Sequence, residues 1–212
     1  MKKSYAHSVN IYVVIFIVLS LFIAALATAS ADSPEMKTKT VFSQIESALV
    51  SLKSQDTFNK SNIRDLLTQH LIPDVNTQFF SHKVLGKNLT KIPKELKADF
   101  VTELTLQLIN AYSHLLSKYN NETINIGASS LSKSGKIASV KITIIGQNKK
   151  NNAVVKLLKA KDGNWQFFDI IIEGISLLDA KQKEINSSIQ RLGVEGTLLH
   201  LKSVNNKSIS SS

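Results

Sequence analysis

The amino-acid sequence predicts an α+β fold in which several helices pack on one face of a curved antiparallel sheet. Two observations carry this reading. Up to Leu116 the apolar residues recur at helical spacing, whereas beyond Asn120-Asn121 they recur at every second position. The period-two segments then follow one another through short polar turns, which makes them an antiparallel meander. Helices grouped ahead of such a meander pack on one side of it.

Val41, Ile45, Leu49 and Leu52 define the first helix, with Pro34 and Glu35 as start signals. Ile63, Leu66, Leu67 and Leu71 define a second that stops at Pro73. Thr77 to Leu85 is a short helical piece capped by Gly86. Pro93 opens a long helix whose stripe runs through Leu96, Phe100, Leu104, Leu108, Ala111 and Leu115. Val101, Ile109, Tyr112 and Leu116 widen that stripe, so this helix is buried on more than one side. Thr123–Ile126 is a short strand. Val140, Ile142 and Ile144 mark a second, Gln147 to Asn152 is a polar turn, and Ala153 to Lys159 returns as a third. After the turn at Lys161-Asp162-Gly163-Asn164, the run from Gly163 to Leu178 supplies the most apolar strand of the chain. A helix from Leu177 to Leu192, capped by Gly193, and a short helix near Thr197 to Leu201 complete the fold. The Ser-, Asn- and Lys-rich segment 202–212 reads as a disordered tail.

The N-terminus has a different character. Lys2 and Lys3 precede a nearly unbroken apolar run from Ile11 to Leu26, small residues occupy 27–31, and no acid appears before Asp32. That order describes a secretory signal peptide over residues 1–31, cleaved after Ala31; an uncleaved membrane anchor is the alternative. Residues 32–201 then form one domain, with no Pro/Gly-rich linker dividing them. Losing Lys2 and Lys3 lowers the formal charge from +10 to +8. The lysines are scattered and no aromatic-basic RNA motif is present, so nucleic acid is not an expected partner. With no cysteine in the chain, a disulfide-stapled fold, thiol catalysis and cysteine metal sites are excluded.

Reactive constellations are absent. His70, His82, His114 and His200 are far apart and form no metal-ligand spacing. There is no G-x-S-x-G elbow, Walker loop or G-x-G-x-x-G, and no cofactor is expected. One acid stands out: Asp169, between Phe168 and Ile170, is costly to bury without a partner. It could act as a general base in a hydrophobic pocket, or bond backbone amides or a lysine and fix its strand. The apolar surplus on sheet and helices, with no chemistry beside it, points to a protein that holds a hydrophobic molecule.

The segment G-N-W-Q-F-F-D-I-I-I-E-G-I-S, followed by K-Q-K-E-I-N-S-S-I-Q-R-L-G-V-E-G-T-L-L-H-L-K, resembles the periplasmic phospholipid-binding MlaC family. That family also carries the toluene-tolerance label Ttg2D. L-I-P-D-V-N-T-Q-F-F-S-H-K-V-L-G-K from Leu71 and the A-Y-S-H-L-L block around Tyr112 agree with it, in order, over nearly all of the mature chain. The resemblance implies a nuclear-transport-factor-2-like fold and a non-enzymatic shuttle that keeps acyl tails between sheet and helices, maintaining outer-membrane lipid asymmetry. Its implied partners are phospholipid, an inner-membrane ABC transporter with an MCE-domain (MlaD-like) subunit and an outer-membrane lipoprotein complex (MlaA-like). The lining expected on this basis is Phe79, Val84, Leu85, Phe100, Leu104, Leu108, Tyr112, Val140, Ile142, Ile144, Trp165, Phe168, Ile170 and Ile172. Lys83 and Lys87 are the expected basic rim for a head-group phosphate. Where family members often carry Trp and Arg, this chain has Asn88, Leu89 and Lys91. Where many carry Tyr-Arg and a later Phe, it has Lys181, Gln182 and Ile185. These departures bear on head-group contacts more than on the cavity. Two alternatives stay open: a carrier of another hydrophobe, such as a hopanoid or an aromatic solvent, and a small enzyme of the same fold using Asp169 or Tyr112.

Overall fold

The structure is a computed structural model that describes residues 33–210, Asn148 excepted. The expected signal peptide, residues 1–31, lies outside the described residues. Five α-helices and five strands follow in order among them. α1 is Pro34–Ser54, α2 Lys60–His70, α3 Thr77–Leu85 and α4 Lys97–Leu116; β1 is Thr123–Leu131, β2 Ile137–Ile145, β3 Lys150–Lys159, β4 Trp165–Ile172 and β5 Ile175–Ser176; α5 is Leu177–Ser210. The sheet is an antiparallel meander in the order β1-β2-β3-β4-β5. The α+β architecture is therefore the one the periodicities imply.

Local chemistry sets the helix ends. Asn59 caps α2 through its side chain, which accepts from Asn62 N at 2.9 Å. Asn76 caps α3 by accepting from Phe79 N at 2.9 Å, and also ties that helix to the sheet. Its backbone N–H donates to Phe167 O at 2.8 Å and its Nδ2 to Gln166 Oε1 at 2.8 Å. Gly86 ends α3 at φ 51°, where a Cβ would stand 2.8 Å from Gln182 Nε2.

Apolar residues gather into two cores. The first joins Val41, Ile45 and Leu49 of α1 and Ile63 and Leu67 of α2 to the inner face of the sheet, Val140, Ile142, Val155, Leu157, Trp165 and Phe167. The second lies between α3, α4 and α5, around Val84, Leu85, Phe100, Leu104, Leu178, Ile185, Leu198 and Leu201. Helix α4 belongs to both, since Ile109 is buried in the first and Phe100, Leu104 and Leu108 in the second.

Several boundaries differ from expectation. β1 extends to Leu131, because the register slip between Ile126 and Ser129 carries pairing past Gly127. The Gln147–Asn152 turn is shorter than its composition suggests; β3 starts at Lys150, whose pairing with Ile145 closes the hairpin. A 3-10 turn at Lys94–Leu96 precedes α4. The expected tail is a correction: the chain continues as helix past Lys202 to Ser210. Polar composition concealed the cause, which is a buried polar dock. Asn205, 1% exposed, accepts from Gln107 Nε2 at 2.6 Å and donates to Glu103 Oε2 at 2.6 Å. Gly193, at φ 70° and ψ −178°, is not helical and divides this last segment into two helices, as expected of a cap at that position.

Candidate functional site

A cavity opens between the inner face of the sheet and the helices. Phe42, Ile45 and Leu49 of α1, and Leu67 and Leu71 at the end of α2, supply one wall. Leu108, Tyr112, Leu115 and Leu116 of α4 supply a second. Ile124, Ile144, Val155, Phe167, Phe168, Ile170 and Ile172 on four strands form the floor. The enclosed volume is about 150 Å³, and the empty space counted with the open mouth is about 990 Å³. Leu115, 47% exposed, stands where the wall reaches the surface.

The register of β4 explains why this strand lines so much of the floor. Trp165, Gln166 and Phe167 pair with Lys159, Leu158 and Leu157, but Asp169 pairs with Lys156, so Phe168 is an extra residue. Side chains alternate along a strand, and one inserted residue resets the alternation. Phe167 before the slip and Ile170 and Ile172 after it therefore share the face of Leu157, Val155 and Ala153, their buried partners. Phe168 itself meets Phe79 edge-on, ring centroids 5.1 Å apart at 82°.

Polar groups on the wall are few. They are Glu46, Tyr119 and Glu122, half-buried, together with Tyr112 and Asp169. Asp169 accepts from Ser176 Oγ at 2.7 Å and from Leu178 N at 3.0 Å, so it fixes β5 and the first turn of α5 to β4. Burial raises its carboxyl above the ordinary value of 3.8, while the hydrogen bonds from Ser176 and Leu178 pull the other way. Burial, and secondarily the Asp169 charge, raises the Tyr112 phenol, which stays protonated at neutral pH. At the mouth, burial first and then Glu46 and Glu122 raise Tyr119, whose ring carries Lys53 Nζ at 4.9 Å. Among the described residues no group of three or more metal-ligating side chains converges.

Of the residues expected to line a cavity, the structure brings together Leu108, Tyr112, Ile144, Phe168, Ile170 and Ile172. Val140, Ile142 and Trp165 belong to the first core instead, and Val84, Leu85, Phe100 and Leu104 to the second. Phe79 stands behind Phe168. Lys83 and Lys87 are exposed but do not line the cavity; Lys83 Nζ lies 5.4 Å from the Phe79 ring. On this side α3 packs against α5, with Gln182 Nε2 donating to Lys83 O at 2.6 Å. Sequence reading missed the α1 and α2 wall, although Ile45, Leu49 and Leu67 were recognised as buried stripes. It also missed Tyr119, Ile124 and Val155, which no spacing marks as different from core.

A curved antiparallel sheet and a helical layer enclosing an apolar chamber define this protein as a domain built around an internal hydrophobic site. The chain belongs to the MlaC family, whose model matches residues 39–203. It is 20% identical over 191 residues to the intermembrane phospholipid transport system binding protein MlaC of Haemophilus influenzae, covering 87% of each chain. It is 25% identical over 169 residues to the toluene tolerance protein ttg2D of Pseudomonas putida, covering 79% of this chain and 78% of that one. Its fold matches that of a phospholipid-binding protein from Ralstonia solanacearum solved with a phospholipid, at a TM-score of 0.73 and 18% identity. That match covers 82% of this chain and 97% of the other.

Proposed function

We propose that this protein is a periplasmic phospholipid carrier that holds acyl tails in the cavity and leaves the head group at the mouth. The apolar chamber between α1, α4 and the sheet carries the proposal. Each methylene withdrawn from water gains about 0.8 kcal/mol, so a sixteen-carbon tail gains roughly 12 kcal/mol, enough to offset much of what it loses on leaving a bilayer. Export, with cleavage after Ala31, belongs to the same proposal. So does exchange with an inner-membrane ABC transporter through its MCE-domain subunit and with an outer-membrane lipoprotein complex, maintaining outer-membrane lipid asymmetry. The family match and the relatives' names support this reading. Asp169 has no place in it as a catalyst, since both its oxygens hold Ser176 and Leu178.

The enclosed volume favours a second reading. An apolar cavity of about 150 Å³ is the size that accepts benzene. A diacyl lipid needs the open part of the 990 Å³ as well. Native mass spectrometry of the protein purified from the periplasm separates the readings. Diacyl phospholipid that co-purifies supports the carrier. A protein that emerges empty, fails to extract lipid from vesicles and binds a small aromatic guest overturns it.

A further inference from the structure

The sheet has a second face, and β1 to β3 bring only cations to it. The acids that reach these strands from other elements are held by their backbone, Glu35 by Ser129 N at 2.8 Å and Glu173 by Asn152 N at 2.6 Å. Between Glu122 and Asp162 the chain contains no acid, yet it holds Lys133, Lys136, Lys141, Lys149, Lys150, Lys156, Lys159 and Lys161. This stretch spans β1, β2 and β3 complete. Ala138, Val140 and Ile142 of β2 and Ala153, Val155 and Leu157 of β3 are buried against the helices. Alternation therefore puts Ser139, Lys141 and Thr143, with Val154, Lys156 and Leu158, on the opposite face, where all are exposed or only partly buried. Lys156 Nζ donates to Ser139 Oγ at 2.9 Å across that face.

Further lysines collect at one end of it. The β1–β2 turn carries Lys133 and Lys136, and the β3–β4 turn carries Lys161; Lys159 N donates to Lys136 O at 2.8 Å, which holds the two turns side by side. The acid closing this stretch, Asp162, is folded into its own turn, accepting from Asn164 N at 3.0 Å and Asn164 Nδ2 at 2.9 Å. Two apolar residues are exposed near the lysines: Leu131, 58% exposed, next to the β1–β2 turn and on the helix side with its partner Ala138, and Ile145, 39% exposed, at the far end of β2 on the lysine face.

We propose that this open sheet face and its two lysine-bearing turns dock the protein on an anionic lipid surface. Protein–protein interfaces are depleted in lysine and enriched in arginine and aromatic residues, whereas every cation here is lysine and the aromatic that meets them, Trp165 under Lys159 Nζ at 5.7 Å, is buried. Diffuse attraction of lysines by acidic head groups needs no shaped partner, and an exposed leucine beside them is accommodated at the interface. The cavity-lining residues Tyr119, Glu122 and Ile124 lie at the opposite end of β1 from Leu131, so docking by the turns leaves that end of the cavity uncovered. The inference goes beyond carriage in the cavity, and its test does not depend on what the cavity holds.

The test is co-sedimentation of the full chain with vesicles of phosphatidylglycerol mixed into phosphatidylcholine, against phosphatidylcholine alone, at low and high salt. Partitioning onto the anionic vesicles that added salt abolishes is expected. Each lysine near such a surface is worth roughly five-fold in partitioning. Combined Lys133→Glu, Lys136→Glu and Lys161→Glu changes should weaken binding at least ten-fold, roughly, with an unchanged circular dichroism spectrum. The matching Lys→Gln set should fall between, and it serves if the charge reversals perturb folding. Any binding by the apolar N-terminal run is common to all chains and is counted on the neutral vesicles. Absence of wild-type binding at low salt overturns the proposal and leaves an acidic protein surface as the partner. Salt-insensitive binding, or equal binding by wild type and variants, overturns it too.

Discussion

Asn205 gives the strongest test of how the C-terminal segment is held. Its side chain makes four hydrogen bonds to α4: Oδ1 accepts from Gln107 Nε2 at 2.6 Å and Asn110 Nδ2 at 3.0 Å, and Nδ2 donates to Glu103 O at 3.1 Å and Glu103 Oε2 at 2.6 Å. Glu103 and Gln107 are each 9% exposed, so neither recovers water easily. In Asn205→Ala the Glu103 carboxylate and the Gln107 amide lose these partners while buried. Each buried group so stranded costs about 1–3 kcal/mol, and Asn110, only partly buried, costs less. The sum is about 3 kcal/mol, which at this chain length lowers Tm by roughly 6–12 °C. Urea unfolding followed by circular dichroism measures it directly. Deletion of residues 202–212 should cost at least as much, because it also strips the Lys202–Asp99 ion pair at 2.7 Å. If Asn205→Ala changes stability by less than about 0.5 kcal/mol, the level of an ordinary surface substitution, the docked helix is wrong and a disordered tail is right.

Three further outcomes follow from the site. Val155, 3% exposed, faces the cavity, so Val155→Phe should place its ring in empty space, cost less than the ~1–3 kcal/mol usual for overpacking, and reduce co-purifying lipid in native mass spectra; full loading would show that tails do not use this floor. Asp169 is raised in the folded state, so the native protein holds this proton more tightly than the unfolded chain. Its contribution to stability is present below pH 3.8 and is lost as pH rises through the folded value; Asp169→Asn should flatten that fall, and a wild-type-minus-variant difference that is constant with pH refutes the assignment. Gly86→Ala should destabilise by about 1–2 kcal/mol in thermal melts, since it strains a φ of 51° and crowds Gln182 Nε2; a neutral result would mean that this close approach is not kept.

Much of the architecture was legible because periodicity is a backbone property. The stripes of α1 and α2 and the alternation of β2 gave elements whose positions the structure repeats to within a few residues. Asp169 was also legible as an anchor, because a lone acid in an apolar strand must find donors. What was not legible depends on tertiary neighbours. Val155 lines the cavity and Val140 lies in the core, yet both are inward valines on adjacent strands and are paired with each other. Nothing in their own sequence distinguishes a residue facing a void from one facing α1. Asn205 was hidden for the converse reason: its partners Glu103 and Gln107 lie about a hundred positions away, and a buried polar dock has no apolar period to reveal it.

The cavity exists because two cores meet without merging. Tyr112 packs against both, and on β4 the extra residue divides the strand between them: Phe167 is buried in the first core, whereas Phe168 packs on the second. Were β4 regular, one face would hold Phe167, Asp169 and Ile171, and the isoleucines at 170 and 172 would leave the floor. The slip instead keeps an unbroken apolar floor while putting two large rings side by side, which no single layer of helices covers without a gap. A guest in that gap touches both cores, since Ile45, Leu49, Leu67, Val155 and Phe167 of the first and Leu108 of the second line it. α1, α2 and α4 present the facing side chains that form the walls, while α3 and α5 are tied to β4 through Asn76 and Asp169. The buried network at Asn205 adds a third tie by holding α5 on α4.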